Sequence, residues 1–129
     1  MDIVADTNVF LAVVLNEPER VRLVKITSGV SVIAPEILPY EVGNALSAMV
    51  KRHQLAVAEA LNAEKAVGRI AVRLVSVDVQ AALQLALDQN IYAYDAYFLL
   101  CARHLSLPLL TLDRRMAEVA DALGIKTLE

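Results

Sequence analysis

Four carboxylates spread through 129 residues carry the chemical interest of this sequence: Asp6, Glu41, Asp95 and Asp113. Three stand where an apolar run gives way to a helical pattern: Asp6 follows IVA, Asp113 follows PLLTL, and Asp95 opens the almost wholly apolar stretch DAYFLLCARHL. In open parallel sheets ligands bind beyond the carboxyl ends of the strands, so acids at such places emerge on one shared edge. Glu41 lies on the flank of a helical apolar stripe, between Leu38 and Ala45 and over the small Ala48, and can reach inward to the same edge. Carboxylates gathered together repel one another, and at least one stays protonated unless a cation is present. Oxygen-only ligands suit Mg²⁺ or Mn²⁺. Zinc favours histidine and cysteine, and the chain offers only His53, His104 and Cys101, without zinc-finger spacing. An acid cluster holding one or two hard divalent ions is a known arrangement for phosphodiester hydrolysis, in which the ions polarise the phosphate, activate water and steady the leaving oxygen.

Positioning those acids requires alternating strands and helices. Apolar, β-branched segments predict strands at residues 3–5 (IVA), 30–34 (VSVIA), 72–77 (VRLVSV) and 108–112 (PLLTL), with IKTLE at the C-terminus as a short edge strand. Between them, helical spacing predicts helices over 7–16, 18–28 with Pro18 in the first turn, Glu36 to about Gln54, about Ala56 to Ile70, 77–90, 95–105 and 114–123. Gly29 and Gly124 stand where two of these must stop. Strands that are apolar throughout imply a parallel sheet of four to five strands, covered by helices on both faces. Residues 1–129 form one α/β domain on this reading, with no repeat or linker.

Composition narrows the function classes. Hydrophobic residues make up 57% and charged residues 21%, with mean hydropathy +0.52, more apolar than an ordinary monomeric globule. No apolar run approaches the roughly 20 residues that cross a bilayer. The surplus therefore predicts a covered sheet and an apolar patch buried by a second subunit or partner protein. The opening MDIVADT has no secretory pattern, which predicts a cytoplasmic protein. The single cysteine, Cys101, lies in an apolar stretch and reads as a buried thiol. A net charge of −3 excludes nucleic-acid binding through a general basic field and leaves only local contacts. Gly29, Gly43, Gly68 and Gly124 form no glycine-rich phosphate loop, which sets aside dinucleotide and nucleoside-triphosphate binding.

Simpler roles exist for each residue. Asp6, Asp95 and Asp113 are each placed to cap a helix and do nothing more, and Glu41 alone suits a solvated helix flank. Glu36 sits in a predicted first helical turn, where the dipole alone favours an acid. Arg114 and Arg115 are candidates for phosphate binding beside Asp113, although arginines on an exposed helix are common. Tyr92 and Tyr94 are candidates for stacking on bases, whereas Tyr97 and Phe98 read as core. His53 and His104, near helix ends, read as capping or exposed side chains.

Taken in order and spacing, IVADTNVF, PEILPYEVGNALS, YAYDAYFLLCA and LLTLD closely resemble the PIN-domain nucleases, and more narrowly the VapC-type toxins. The resemblance runs from Asp2 to about Leu123, and the four motifs together are specific where each alone is weak. It aligns the family's opening acid with Asp6, followed by Thr7 and Asn8 as in its D-T-N/S motif. The helical acid falls on Glu41, with Asn44 one turn on, and the third and fourth acids fall on Asp95 and Asp113. The resemblance implies a magnesium- or manganese-dependent endoribonuclease, commonly a homodimer, encoded beside a small antitoxin that blocks the site. It also implies products with 5′-phosphate and 3′-hydroxyl ends, and a supporting role for the hydroxyls of Thr7 and Thr111. The segment after Asp113 departs from the pattern in carrying no aromatic residue.

The expectation is therefore hydrolysis of RNA with Asp6, Asp95 and Asp113 as metal ligands and Glu41 as ligand or water-orienting base. The rival is a noncatalytic module of the same fold that grips RNA or protein while its acids cap helices. Phosphate-ester hydrolysis through an aspartyl nucleophile at Asp6 wants a second acid two residues on, where Asn8 stands.

Overall fold

A computed structural model describes all residues, 1–129. The chain runs β1 (Asp2–Ala5), α1 (Thr7–Val14), α2 (Arg20–Thr27), β2 (Ser31–Pro35), α3 (Leu38–Lys51), α4 (Val57–Gly68), β3 (Val72–Val75), α5 (Val79–Gln89), α6 (Ala93–Leu105), β4 (Leu109–Leu110), α7 (Arg114–Ala122) and β5 (Thr127–Leu128). The five strands form one parallel sheet in the order β3-β2-β1-β4-β5. Seven helices flank it, in agreement with the predicted α/β class.

The order follows from the connections. From β1 the chain steps through β2 to β3, then crosses back over the sheet to β4 on the other side of β1 and on to β5. Right-handed crossovers place the helices of the first half on one face and those of the second half on the other. Helix α6 packs against β1 and β2, with α5 against α6, while α1 contacts α2, α3 and α4. The direction in which successive strands are added to the sheet reverses between β1 and β4, and in sheets of this type that switch point opens a crevice at the strands' carboxyl ends. Ile3, Val4 and Ala5 of the central strand are fully buried, as are Leu109 and Leu110 beside them. They belong to a single core cluster of 29 residues that also takes in Phe98 and Leu99 of α6. No helix is long and apolar enough to cross a membrane.

Several boundaries differ from the sequence expectation, each for a local reason. The fourth strand is two residues rather than five, because Leu112 N–H donates to the Asn8 side chain (3.1 Å) and Asp113 N–H to the Thr111 hydroxyl (3.1 Å), so neither continues the ladder. Helix α2 begins at Arg20, and Pro18 lies in a turn ahead of it. Helix α3 begins at Leu38 with Pro39 in its first turn and ends at Lys51, which leaves Glu36 outside the helix. His53 follows it in the left-handed region, at φ 60°. The third strand is not covered on both sides: at the sheet edge, Arg73 and Leu74 are exposed. Gly29 and Gly124 adopt φ of 72° and 75° directly after α2 and α7, a conformation that costs glycine least.

Candidate active site

The corner after β1 is held by its own side chains. Asp6 caps α1, its Oδ1 accepting from Thr7 N–H at 2.8 Å. Its Oδ2 accepts from the Thr111 hydroxyl at 2.8 Å and from Asn8 Nδ2 at 3.3 Å. Thr111 therefore reaches from the end of β4 to the end of β1, and Asn8 makes the return contact through Leu112 N–H. Asp113 caps α7, accepting from the N–H groups of Arg115 (2.8 Å) and Met116 (3.2 Å). The hydroxyl of Thr7 donates to Glu41 Oε2 at 2.7 Å, which draws the α3 carboxylate toward the same corner.

Asp95 is the exception to the capping expectation. Helix α6 starts at Ala93, two residues earlier than predicted, and Tyr92 is its N-cap with no side-chain hydrogen bond. Asp95 thus sits in the first turn, half-buried and off the cap.

Asp6, Glu41, Asp95 and Asp113 line one hollow of about 310 Å³. Thr7, Asn8 and Asn44 add polar edges, while Leu11, Ile37 and Ala45 supply apolar wall. None of the lining residues is basic. Asp6 is only 6% exposed, and burial pushes its carboxyl up to about 6 despite the hydrogen bonds from Thr111 and Thr7, with Asp95 and Asp113 adding repulsion. Glu41 is pushed up to about 7, again mainly by burial, with Asp6 and Asp95 contributing. Asp95 is raised by burial and by Asp113.

Mutual repulsion and desolvation with no cationic partner are what a hard divalent ion relieves, and the donor set is entirely oxygen. The carboxylates do not form a closed coordination shell: no three acids meet in a group that could hold a metal as they stand. They surround the hollow from the ends of β1 and β4 and from the first turns of α3 and α6. In chemical character the residues fit Mg²⁺ or Mn²⁺.

Other candidates lie elsewhere. Arg114 and Arg115 do not line the acid hollow. Arg115 Nη2 donates to the Gln89 carbonyl at 3.4 Å, and Arg114 borders a separate depression with Glu19 and Arg22. Tyr94 lines the acid hollow, whereas Tyr92 does not; Phe98 is buried and Tyr97 half-buried. Cys101 is buried, which pushes its thiol up to about 11. Tyr40 lines the hollow although sequence reasoning passed over it; an exposed residue beside Glu41 in a proline-led first turn was the available signal.

No curated protein matches the chain significantly in sequence. The crystal structure of PAE2754 from Pyrobaculum aerophilum superposes with a TM-score of 0.72 at 20% identity, over 98% of this chain and 92% of that one, which establishes likeness of fold. The PIN domain matches residues 3–122, a span that includes all four acids, and the chain therefore belongs to the PIN domain family.

Proposed function

We propose that the protein is a Mg²⁺- or Mn²⁺-dependent endoribonuclease, the toxin of a VapC-type toxin-antitoxin pair. PIN domains are generally nucleases. The observation that carries the reading is four carboxylates around one hollow at the switch point of the sheet, two of them pushed up to about 6 and about 7 with no basic residue beside them. A divalent cation held there would polarise the phosphodiester and ease loss of a proton from the attacking water near neutral pH.

The chain's own residues have separable tasks in this reading. Asp6, Asp95 and Asp113 would hold the cation, with Glu41 as a further ligand or as the base that orients and deprotonates water. Thr7 fixes the Glu41 carboxylate, and Thr111 with Asn8 fixes that of Asp6. Capping, which the noncatalytic reading offers in place of catalysis, accounts for Asp113 and for one hydrogen bond of Asp6, but not for the burial of Asp6 nor for Asp95 or Glu41. Exposed apolar side chains on α5, at Leu83 and Leu87, support assembly with a second copy or with the antitoxin. A cytoplasmic location belongs to the same reading.

The test is cleavage of a mixed RNA pool by purified protein with Mn²⁺ or Mg²⁺, with chelator, and with folded Asp6→Ala and Asp95→Ala variants alongside. Discrete fragments with 5′-phosphate ends that require the cation and vanish in both variants are expected. Fragments ending in cyclic phosphate, or none from well-folded, antitoxin-free protein, would reject the mechanism.

A further inference from the structure

Beside the acid hollow, and sharing Ile37, Tyr40 and Tyr94 with it, lies a second hollow of about 520 Å³ between the β2–α3 turn and the start of α6. Pro35, Val77, Val79 and Tyr97 complete its largely apolar wall. Tyr40 is 74% exposed, Tyr94 55% and Val79 62%, so an aromatic and aliphatic surface stands in water at the mouth of the acid site. Tyr97 is half-buried, and its ring meets that of Tyr94 edge to face at 6.2 Å and 71°, a contact that restrains Tyr94. The one charged residue of the lining is Glu36. A carboxylate there repels phosphate and accepts a hydrogen bond from an exocyclic amine. The hollow thus disfavours a nucleic-acid backbone and suits a flat, uncharged ring.

We propose that this hollow is a nucleobase subsite, in which Tyr40 and Tyr94 take an unpaired base of the RNA next to the phosphodiester that the acid site would engage through its cation. The inference rests on the ribonuclease reading above and adds to it a specificity-determining subsite. Continuity selects the occupant: with three lining residues in common, the two hollows adjoin as a base adjoins the phosphodiester of its own nucleotide. A base paired and stacked in a helix cannot enter, so the subsite acts on an unpaired nucleotide. Glu36 favours a base that carries an amino group over uracil.

A short single-stranded RNA cut by the wild-type protein with Mn²⁺ tests this, compared with the same RNA carrying one abasic nucleotide at each position flanking the cut in turn. Tyr40→Ala and Tyr94→Ala are expected to raise KM on the intact RNA by about tenfold each, the scale of one lost base stack, with a much smaller change in kcat. Tyr40→Trp and Tyr94→Phe should restore it. At one position the abasic nucleotide should raise the wild-type KM by a similar factor and abolish the difference between wild type and alanine variants, as coupled groups do. If the wild type cuts RNA and both alanine variants match its KM on every substrate, the subsite is overturned while the nuclease reading stands. Unchanged KM with altered sedimentation of the variants would assign the hollow to protein assembly instead. A wild-type protein that neither cuts RNA nor binds a labelled strand removes both readings.

Discussion

The corner after β1 and the corner after β4 use the same local grammar: a short buried parallel strand, an aspartate in extended conformation, and a helix whose first N–H groups that aspartate accepts. Their surroundings differ. Asp113 is exposed and serves two N–H groups of its own helix. Asp6 lies beneath the surface, takes hydrogen bonds from both corners, and still has a carboxyl raised to about 6. A cap satisfied by its helix stabilises the fold; a buried cap whose proton affinity the fold increases works against it. The difference teaches that capping is a sufficient account of Asp113's position, whereas at Asp6 it leaves unexplained why a carboxyl is buried beside two other acids.

Removing the charge while keeping the cap attacks that distinction most directly. Asp6→Asn retains a side-chain oxygen for Thr7 N–H and loses the carboxylate. Cleavage should fall by about a thousandfold or more, the scale of the several kcal/mol a bound cation contributes, while the metal-free protein stays folded, its stability changed by the balance between the lost carboxylate desolvation and the lost Thr111 and Asn8 hydrogen bonds to Oδ2. Wild-type cleavage rates in Asp6→Asn would reduce Asp6 to a cap and erase the contrast between the corners.

The same contrast has a pH signature. Asp6 is raised from 3.8 to about 6 and Glu41 from 4.5 to about 7. The folded state therefore binds these protons more tightly than the unfolded state, so stability present below about pH 4 is lost as pH rises through 6 and 7. About two units on buried Asp6 amount to roughly 3 kcal/mol; Glu41 is nearer solvent and contributes less. In metal-free protein, the melting temperature of the wild type relative to Asp6→Asn should decline from pH 5 to pH 8. Mn²⁺ should raise the wild-type melting temperature more at pH 8 than at pH 5, because protons compete for the same oxygens. A metal response equal at both pH values would show that the cation binds elsewhere.

The two corners were legible in the sequence because an acid directly after an apolar run marks both a strand end and a helix start, whatever else it does. Strand order was not, since IVA, VSVIA and PLLTL are alike in composition and only the crossover back over β1 decides their neighbours. Exposure of Arg73 and Leu74 follows from that order, β3 being an edge strand. The start of α6 was displaced because Tyr92 caps through backbone conformation alone and offers no side-chain signal, whereas Asp95 resembles a cap in sequence and is not one. The short β4 was hidden because Thr111 and Leu112 have strand-like side chains, while their hydrogen bonds go to Asn8 and Asp113, far away or just beyond in sequence. Tyr40 escaped notice because an exposed aromatic has no periodic partner.

The smallest expected effect separates the two tasks of Asp113 itself. Asparagine caps a helix about as well as aspartate, while alanine in that position loses about 1 kcal/mol. Asp113→Asn should therefore melt within about a degree of the wild type, and Asp113→Ala a few degrees below it. Both should lose metal-dependent cleavage if the carboxylate reaches the hollow as a ligand. Should Asp113→Asn cut RNA at the wild-type rate while only Asp113→Ala loses stability, Asp113 is a cap alone, and the acid site contracts to Asp6, Glu41 and Asp95. Loss of cleavage in Asp113→Asn without loss of stability would instead show that an exposed cap can serve the hollow, so that the corners differ in burial but share a function.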